Sequence, residues 1–270
     1  MEIQIIPELI TLTQVKQAGH RLFQKKPIRK VVKEMADTAR YVWEKGWAER
    51  NAGNLSADVT DLVPAQELSR LPSFPFLPLQ RPFPALEKRV FLVSITGSRM
   101  RDLAEHPEES LCFIYISDNG SAYHIVAVSE DIIATKPTTE LLTHLAIHQM
   151  LVQKKRPERV ILHAHVTELI ALSHLPDMKS EEAINRMIME MHPETKMFVP
   201  EGAGFVPYEL PGSESLAQAT LKAFQAHRAV IWEKHGCIAV AETVTEAFDT
   251  MDILAKAAKI WFLIRPASAV

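Results

Sequence analysis

Cysteine is nearly missing from this sequence: Cys112 and Cys237 are the only two, and they lie far apart. Two thiols cannot build a disulfide framework or a four-cysteine zinc site, and such sparing use fits a reducing compartment. An excess of charge of one sign is missing too. The 30 Lys and Arg residues nearly balance 33 Asp and Glu, so no basic face of the kind a nucleic acid demands is implied. Nowhere do about 18 apolar residues follow one another. The first residues, Met1 to Glu8, lack a basic start followed by an apolar run. A soluble, cytoplasmic protein is expected, with neither nucleic acid nor membrane as partner.

With 270 residues and 47% hydrophobic content, the chain can bury one large core, with or without a small appendage. Residues 1–30 read as an N-terminal extension and 31–270 as the main domain. Helical spacing runs through 31–49, with Val32, Met35, Ala39 and Val42 on one stripe and Gly46 as its stop. Residues 50–56 mix small and amide side chains that favour turns and present backbone N–H groups, so this loop can hold an anion. From 64 to 84, recurring prolines exclude regular helix or central strand, and an ordered loop packed on the core is expected.

Strands are expected at 90–95, 111–117 and 122–128, the last two flanking the hairpin signal Asp118-Asn119-Gly120. A mixed or antiparallel sheet follows. Lys136-Pro137-Thr138-Thr139-Glu140 opens a helix, with hydroxyl caps and an acidic first turn, that continues to about Val152. Further expectations are a strand at 160–165, helices at 167–172 and 180–191, a glycine turn at Gly202 and Gly204, and a helix at 213–226. A strand at 229–232 and a last helix to about Leu263, entered by a Thr243 and Glu246 capping box, complete the pattern. Helices alternate with strands without internal repetition, which indicates a layered α/β domain.

His163-Ala164-His165 falls in a strand pattern, where residues two apart share a face. Two such imidazoles can chelate an ion that a third ligand completes, and His235, beside the turn-permitting Gly236, is the obvious third. Three histidines leave one position open for a substrate oxygen; packed or surface histidines are the alternative. His144 and His148 stand one helical turn apart, but Leu145 occupies the place where a zinc protease needs its glutamate, so they read as helix-face or packing residues. Cys237 reads as a buried thiol rather than a ligand. Glu140 is either an ordinary first-turn acid or, if a metal and a phosphate lie nearby, a general base. In that second case it can take a proton from carbon while the ion carries the enediolate charge. Uncharged donors for a phosphate are offered by Asn51, Gly53 and Asn54, by Thr96, Gly97 and Ser98, and by Thr138 and Thr139.

Taken together, Glu49-Arg50-Asn51-Ala52-Gly53-Asn54-Leu55, Thr96-Gly97-Ser98, Pro137-Thr138-Thr139-Glu140, His163-Ala164-His165 and His235-Gly236 resemble, in order, the class II aldolase and adducin-head family. The likeness runs from about Val32 to about Phe262. The proline-rich segment, Gly46 to Asn51 and Tyr123-His124-Ile125 resemble the rhamnulose-1-phosphate branch more than the fuculose-1-phosphate aldolase or ribulose-5-phosphate 4-epimerase branches. The resemblance implies a three-layer α/β/α fold around a mixed, largely antiparallel sheet. It implies one zinc ion per subunit on His163, His165 and His235, with Glu140 as the acid/base that exchanges the proton of dihydroxyacetone phosphate. It places phosphate on Asn51, Gly53, Asn54, Ser98, Thr138 and Thr139, and a neighbouring subunit's Glu194 near the aldehyde. The implied reaction is reversible cleavage of L-rhamnulose 1-phosphate to dihydroxyacetone phosphate and L-lactaldehyde, in a C4 homotetramer with sites at subunit boundaries. An interaction module of the adducin-head kind would share the fold without the metal. Ala52 and Arg99 depart from the glycines usual in the family's phosphate loops. The resemblance further leads us to expect an N-terminal extension longer than usual and a shortened or missing C-terminal segment of the kind that covers the site in some relatives.

Overall fold

Residues Leu111–Ile116 are apolar at every position rather than at alternate ones, and all are buried. A strand so composed is covered on both faces. Leu111, Phe113 and Tyr115 enter one core cluster while Cys112, Ile114 and Ile116 enter another. The computed structural model describes residues 12–71, 76–126 and 135–265. Within them, β1 (Asn54–Asp58), β2 (Phe76–Pro78), β3 (Val90–Ser94), β4 (Leu111–Ile116), β5 (Ala122–Val126), β6 (Val160–Ala164), β7 (Gly204–Val206), β8 (Ala229–Trp232) and β9 (Gly236–Ala241) form one sheet. Its order is β2-β5-β4-β3-β1-β6-β9-β8-β7. Every pairing is antiparallel except that of β7 with β8.

The larger core lies under α1 (Leu12–Phe23), α2 (Lys26–Glu44), α4 (Met100–Glu105), α7 (Thr167–His174), α8 (Glu181–Met191) and α11 (Val244–Ile264). The opposite face carries α6 (Leu141–Gln153) and α10 (Glu214–Ala223). Three layers result, as the resemblance implied. Part of the expected extension is core: Val15, Leu22 and Phe23 of α1 are fully buried beside the first residues of α2. Met1 to Glu8 and positions 127–128 lie outside the described residues.

Several boundaries differ from expectation for local reasons. Helix α2 starts at Lys26, with Pro27 in its first turn, and stops where Gly46 takes a φ of +73°, a left-handed residue that closes a helix end. The Trp47 N–H then donates back to the Val42 carbonyl at 3.0 Å. The proline-rich segment is not loop throughout: it contains a single helical turn, α3 (Ala65–Leu68), and β2 at the edge of the sheet, where proline is tolerated. Gly204 is not part of a turn but opens β7, and a Cβ there would stand 2.8 Å from Ala223 Cβ on α10. Three short helices carry no strong sequence signal, namely α4, α5 (Pro107–Ser110) and α9 (Pro193–Phe198). The capping box at Thr243 and Glu246 is present as expected.

Candidate active site

Strands β1 and β6 pair with Asn54 opposite His163, so these side chains share the sheet face that looks toward α6, while Leu55, Leu162 and Ala164 turn into the larger core. His163 is buried, and its Nδ1–H donates to the Cys237 carbonyl across the β6–β9 ladder at 3.0 Å. That bond fixes the tautomer and leaves Nε2 as a bare acceptor with no partner. His165 lies just past the end of β6, not inside the strand. Its Nδ1 meets Glu49 Oε1 at 2.6 Å. His235 sits in the three-residue connection between β8 and β9, where Lys234 takes a φ of +61° and its N–H donates to Ser173 Oγ at 2.8 Å.

The three imidazoles present ligand nitrogens that all lie within 4.8 Å of one another. Burial lowers His163 to about 3, with the charge of His165 acting the same way, and lowers His235 to about 4 with help from His163. Neutral rings with free lone pairs are what a metal needs. The orphaned Nε2 of His163 and the all-imidazole donor set fit a zinc ion with an open coordination position. Cys237 is no competitor: its thiol is fully buried on the other sheet face and pushed up to about 12 by burial.

Glu140 stands just before the first turn of α6, one position earlier than a first-turn acid, and its side chain makes no capping hydrogen bond. Its Oε1 is 3.7 Å from His235 Nε2 and its Oε2 is 3.8 Å from His163 Nε2. Oε2 also accepts from Asn54 Nδ2 at 2.9 Å. The carboxylate is therefore held against the histidine cluster rather than turned back to cap the helix.

Beside it opens a cleft of roughly 140 Å³ that brings together Asn51, Gly53, Asn54, Ser98, Thr138 and Thr139 with Glu140, His163 and His165. The far loops meet because the Thr138 N–H donates to the Ser94 carbonyl at 2.9 Å and the Thr96 N–H to the Lys136 carbonyl at 2.8 Å, stitching the end of β3 to the approach of α6. Gly53 is required by this arrangement: its φ is +81°, and a Cβ would stand 2.9 Å from Met100 Cε and 3.0 Å from the His163 carbonyl. Of the two departures, Ala52 lines the cleft, whereas Arg99 is exposed at the start of α4 and does not. Glu194 lies elsewhere on this chain, exposed at the start of α9 and paired with His192 Nδ1 at 2.7 Å.

Some participants were given no role from the sequence. Glu49 orients His165 although burial alone would push its carboxyl up; the His165 hydrogen bond and the nearby imidazoles outweigh burial and hold it down. Trp232 stacks on His235 with ring centroids 5.0 Å apart and lies 4.7 Å from His163. Its Nε1–H is anchored on Thr220 Oγ1 of α10 at 2.8 Å.

The pattern of the class II aldolase and adducin N-terminal domain matches residues 33–262. The chain belongs to this family. Among its class II aldolase relatives, the rhamnulose-1-phosphate aldolase of Bacteroides thetaiotaomicron is 38% identical over 234 residues, covering 87% of this chain and 86% of that protein. The rhamnulose-1-phosphate aldolase of Listeria welshimeri is 32% identical over 86% of this chain and 83% of its own length. A sugar-phosphate aldolase from Thermotoga maritima superposes with a TM-score of 0.75 at 29% identity, over 90% of this chain and 99% of the other. The expected likeness to the rhamnulose branch is borne out by these relatives. Among the described residues no helix is long and apolar enough to cross a membrane.

Proposed function

We propose that this class II aldolase is a cytoplasmic rhamnulose-1-phosphate aldolase that cleaves L-rhamnulose 1-phosphate reversibly to dihydroxyacetone phosphate and L-lactaldehyde. The observation that carries the reading is the Glu140 carboxylate, 3.7 and 3.8 Å from His235 and His163 at the head of a cleft lined by uncharged donors. Relatives that bear this activity by name share up to 38% of the sequence over most of the chain.

In this reading the phosphate is held by Asn51, Asn54, Ser98, Thr138 and Thr139 with the backbone of Gly53, next to the positive end of α6. His163, His165 and His235 would hold one zinc ion, which when bound would supply a Lewis acid to the reaction. Breaking the carbon–carbon bond leaves the electron pair on the dihydroxyacetone phosphate half. Glu140 gives a proton to that carbon in cleavage and removes it in synthesis. The hydroxyl proton of the carbon that becomes the aldehyde needs a separate acceptor, and Glu194 of a neighbouring subunit is assigned to that side. A homotetramer with sites at subunit boundaries supplies the neighbour.

Side-by-side assays of L-rhamnulose 1-phosphate, L-fuculose 1-phosphate and L-ribulose 5-phosphate test the assignment. Release of dihydroxyacetone phosphate is expected to be fastest from the first. Epimerisation of the pentose phosphate without cleavage, or purified protein devoid of stoichiometric zinc, would overturn it.

A further inference from the structure

From Asn54 at the wall of the cleft a line of buried polar groups runs on through His144, Ser56 and His148, three residues that the proposed chemistry does not use. It arises from two periodicities meeting. Asn54 and Ser56 are two apart on β1 and face α6; His144 and His148 are four apart on α6 and face β1. Asn54 Oδ1 meets His144 Nε2 at 2.6 Å, His144 Nδ1 meets Ser56 Oγ at 2.7 Å, and Ser56 Oγ meets His148 Nε2 at 2.8 Å. His148 is backed by the Phe91 ring, with centroids 4.6 Å apart. Every member is at least nine-tenths buried.

With Glu140 Oε2 as an acceptor, which it is in the carboxylate and equally in an acid that carries its proton on Oε1, the donors and acceptors along this line can be satisfied in one direction only. Asn54 must therefore offer Oε2 its NH2 group, and Asn54 Oδ1 must then receive a proton donor. His144 has to be that donor through Nε2–H. Its Nδ1 is then an acceptor for the Ser56 hydroxyl, whose own lone pair receives His148 Nε2–H. Reversing any one bond would present the Asn54 carbonyl to the carboxylate, oxygen against oxygen.

We propose that His144, held by Ser56 and His148, is a positioning residue for the aldol reaction: it fixes the Asn54 carboxamide with its NH2 toward Glu140 and so aims the acid/base carboxylate. His144 is absent from the cleft lining, and both of its ring nitrogens are engaged by Asn54 and Ser56. It acts through Asn54. Burial lowers His144 well below the usual imidazole range, which keeps the ring neutral and able to accept as well as donate. The inference rests on the reading of Glu140 as the acid/base.

Two measurements on the zinc-loaded protein test it. Nitrogen NMR of the imidazoles should find His144 neutral with the proton on Nε2; a proton on Nδ1 would overturn the proposal whatever the enzyme's activity. In kinetics on L-rhamnulose 1-phosphate, His144→Leu should lower kcat roughly 10- to 100-fold, with KM and zinc content near those of the parent. His144→Gln, whose amide reaches the place of Nε2, should recover most of the loss, whereas His144→Asn, which reaches only the place of Nδ1, should not. A purely packing role would favour neither amide. Parent-like turnover by His144→Leu, or equal rescue by both amides, would sink the inference. If His144→Leu does not fold, Ser56→Ala removes the support behind the ring and should lower kcat in the same manner; an unchanged kcat there counts against the proposal. Should the parent itself show no dependence on Glu140, the functional reading fails first, and the tautomer still decides whether the line runs as described.

Discussion

Glu140 differs from an ordinary helix-start carboxylate in where its oxygens go: one is fixed by Asn54, and both stand near the histidine nitrogens. Glu140→Gln is therefore expected to keep its zinc and lose cleavage by roughly 10²- to 10⁴-fold, read from initial rates and from metal analysis of the same sample. Loss of zinc along with rate would move Glu140 from proton transfer to metal binding. His163→Ala should behave in the opposite sense and strip both metal and activity, because the orphaned Nε2 has no other task in the fold. Glu49 has a subtler part. Holding His165 by Nδ1 leaves only the far nitrogen of that ring for an ion, and Glu49→Gln should weaken zinc affinity by about 10- to 100-fold with little change in folding. Competition with a metal chelator measures it, and an unaltered affinity would make the contact incidental.

At the scale of elements, the parts of this fold that could be read beforehand are those fixed by neighbours in sequence. The Asp118-Asn119-Gly120 turn between β4 and β5 and the capping box of α11 use local rules, and both are in place. Helices α4, α5 and α9 span six, four and six residues, too few for an apolar period to emerge. The histidine triad could be named from the chain only as a set of suitable residues, helped by a family likeness. What joins them is register: the pairing of β6 with β9 and of β1 with β6, which no residue spacing announces. The contacts of Ser56 with His144 and His148 were invisible for the same reason, since strand and helix lie far apart in sequence. Register also explains the demand for Gly236, whose added Cβ would fall 2.4 Å from the Ala164 carbonyl and 3.1 Å from His163 Cε1. Gly236→Ala should force β6 and β9 apart next to the three histidines, costing roughly 1–3 kcal/mol in urea unfolding together with weaker zinc binding. A variant as stable as the parent would mean that the hairpin carrying His235 is free to shift.

For the molecule as a whole, buried histidines contribute to the response to acid. His148 is lowered to about 4 by burial, which outweighs the opposing pull of Asp58, and His144 is lowered as well. In the unfolded chain both take up protons near pH 6.5, while in the folded chain they resist until about pH 4 for His148. Between those values the unfolded state binds more protons, so stability falls as pH falls; above about pH 6.5 these groups contribute no slope. Each such histidine adds at most about 1.4 kcal/mol per pH unit. Urea midpoints followed across this window should drop toward acid, and the drop should be shallower for His148→Gln. Assembly gives a second test at this scale. If Glu194 serves a neighbour's site, Glu140→Ala and Glu194→Ala subunits, each impaired alone, should regain part of their activity after subunit exchange. Two inactive variants that remain inactive together would place Glu194 outside the reaction.

Trp232 offers an optical consequence. Its indole is pinned by Thr220 and stacks on His235 beside the histidine cluster, shielded from solvent. Of the four tryptophans, this one should report on ion occupancy through its emission, so that stepwise zinc addition to chelator-treated protein can be followed as a fluorescence titration without any added dye. The signal should vanish in Trp232→Phe while the other three indoles continue to glow unchanged.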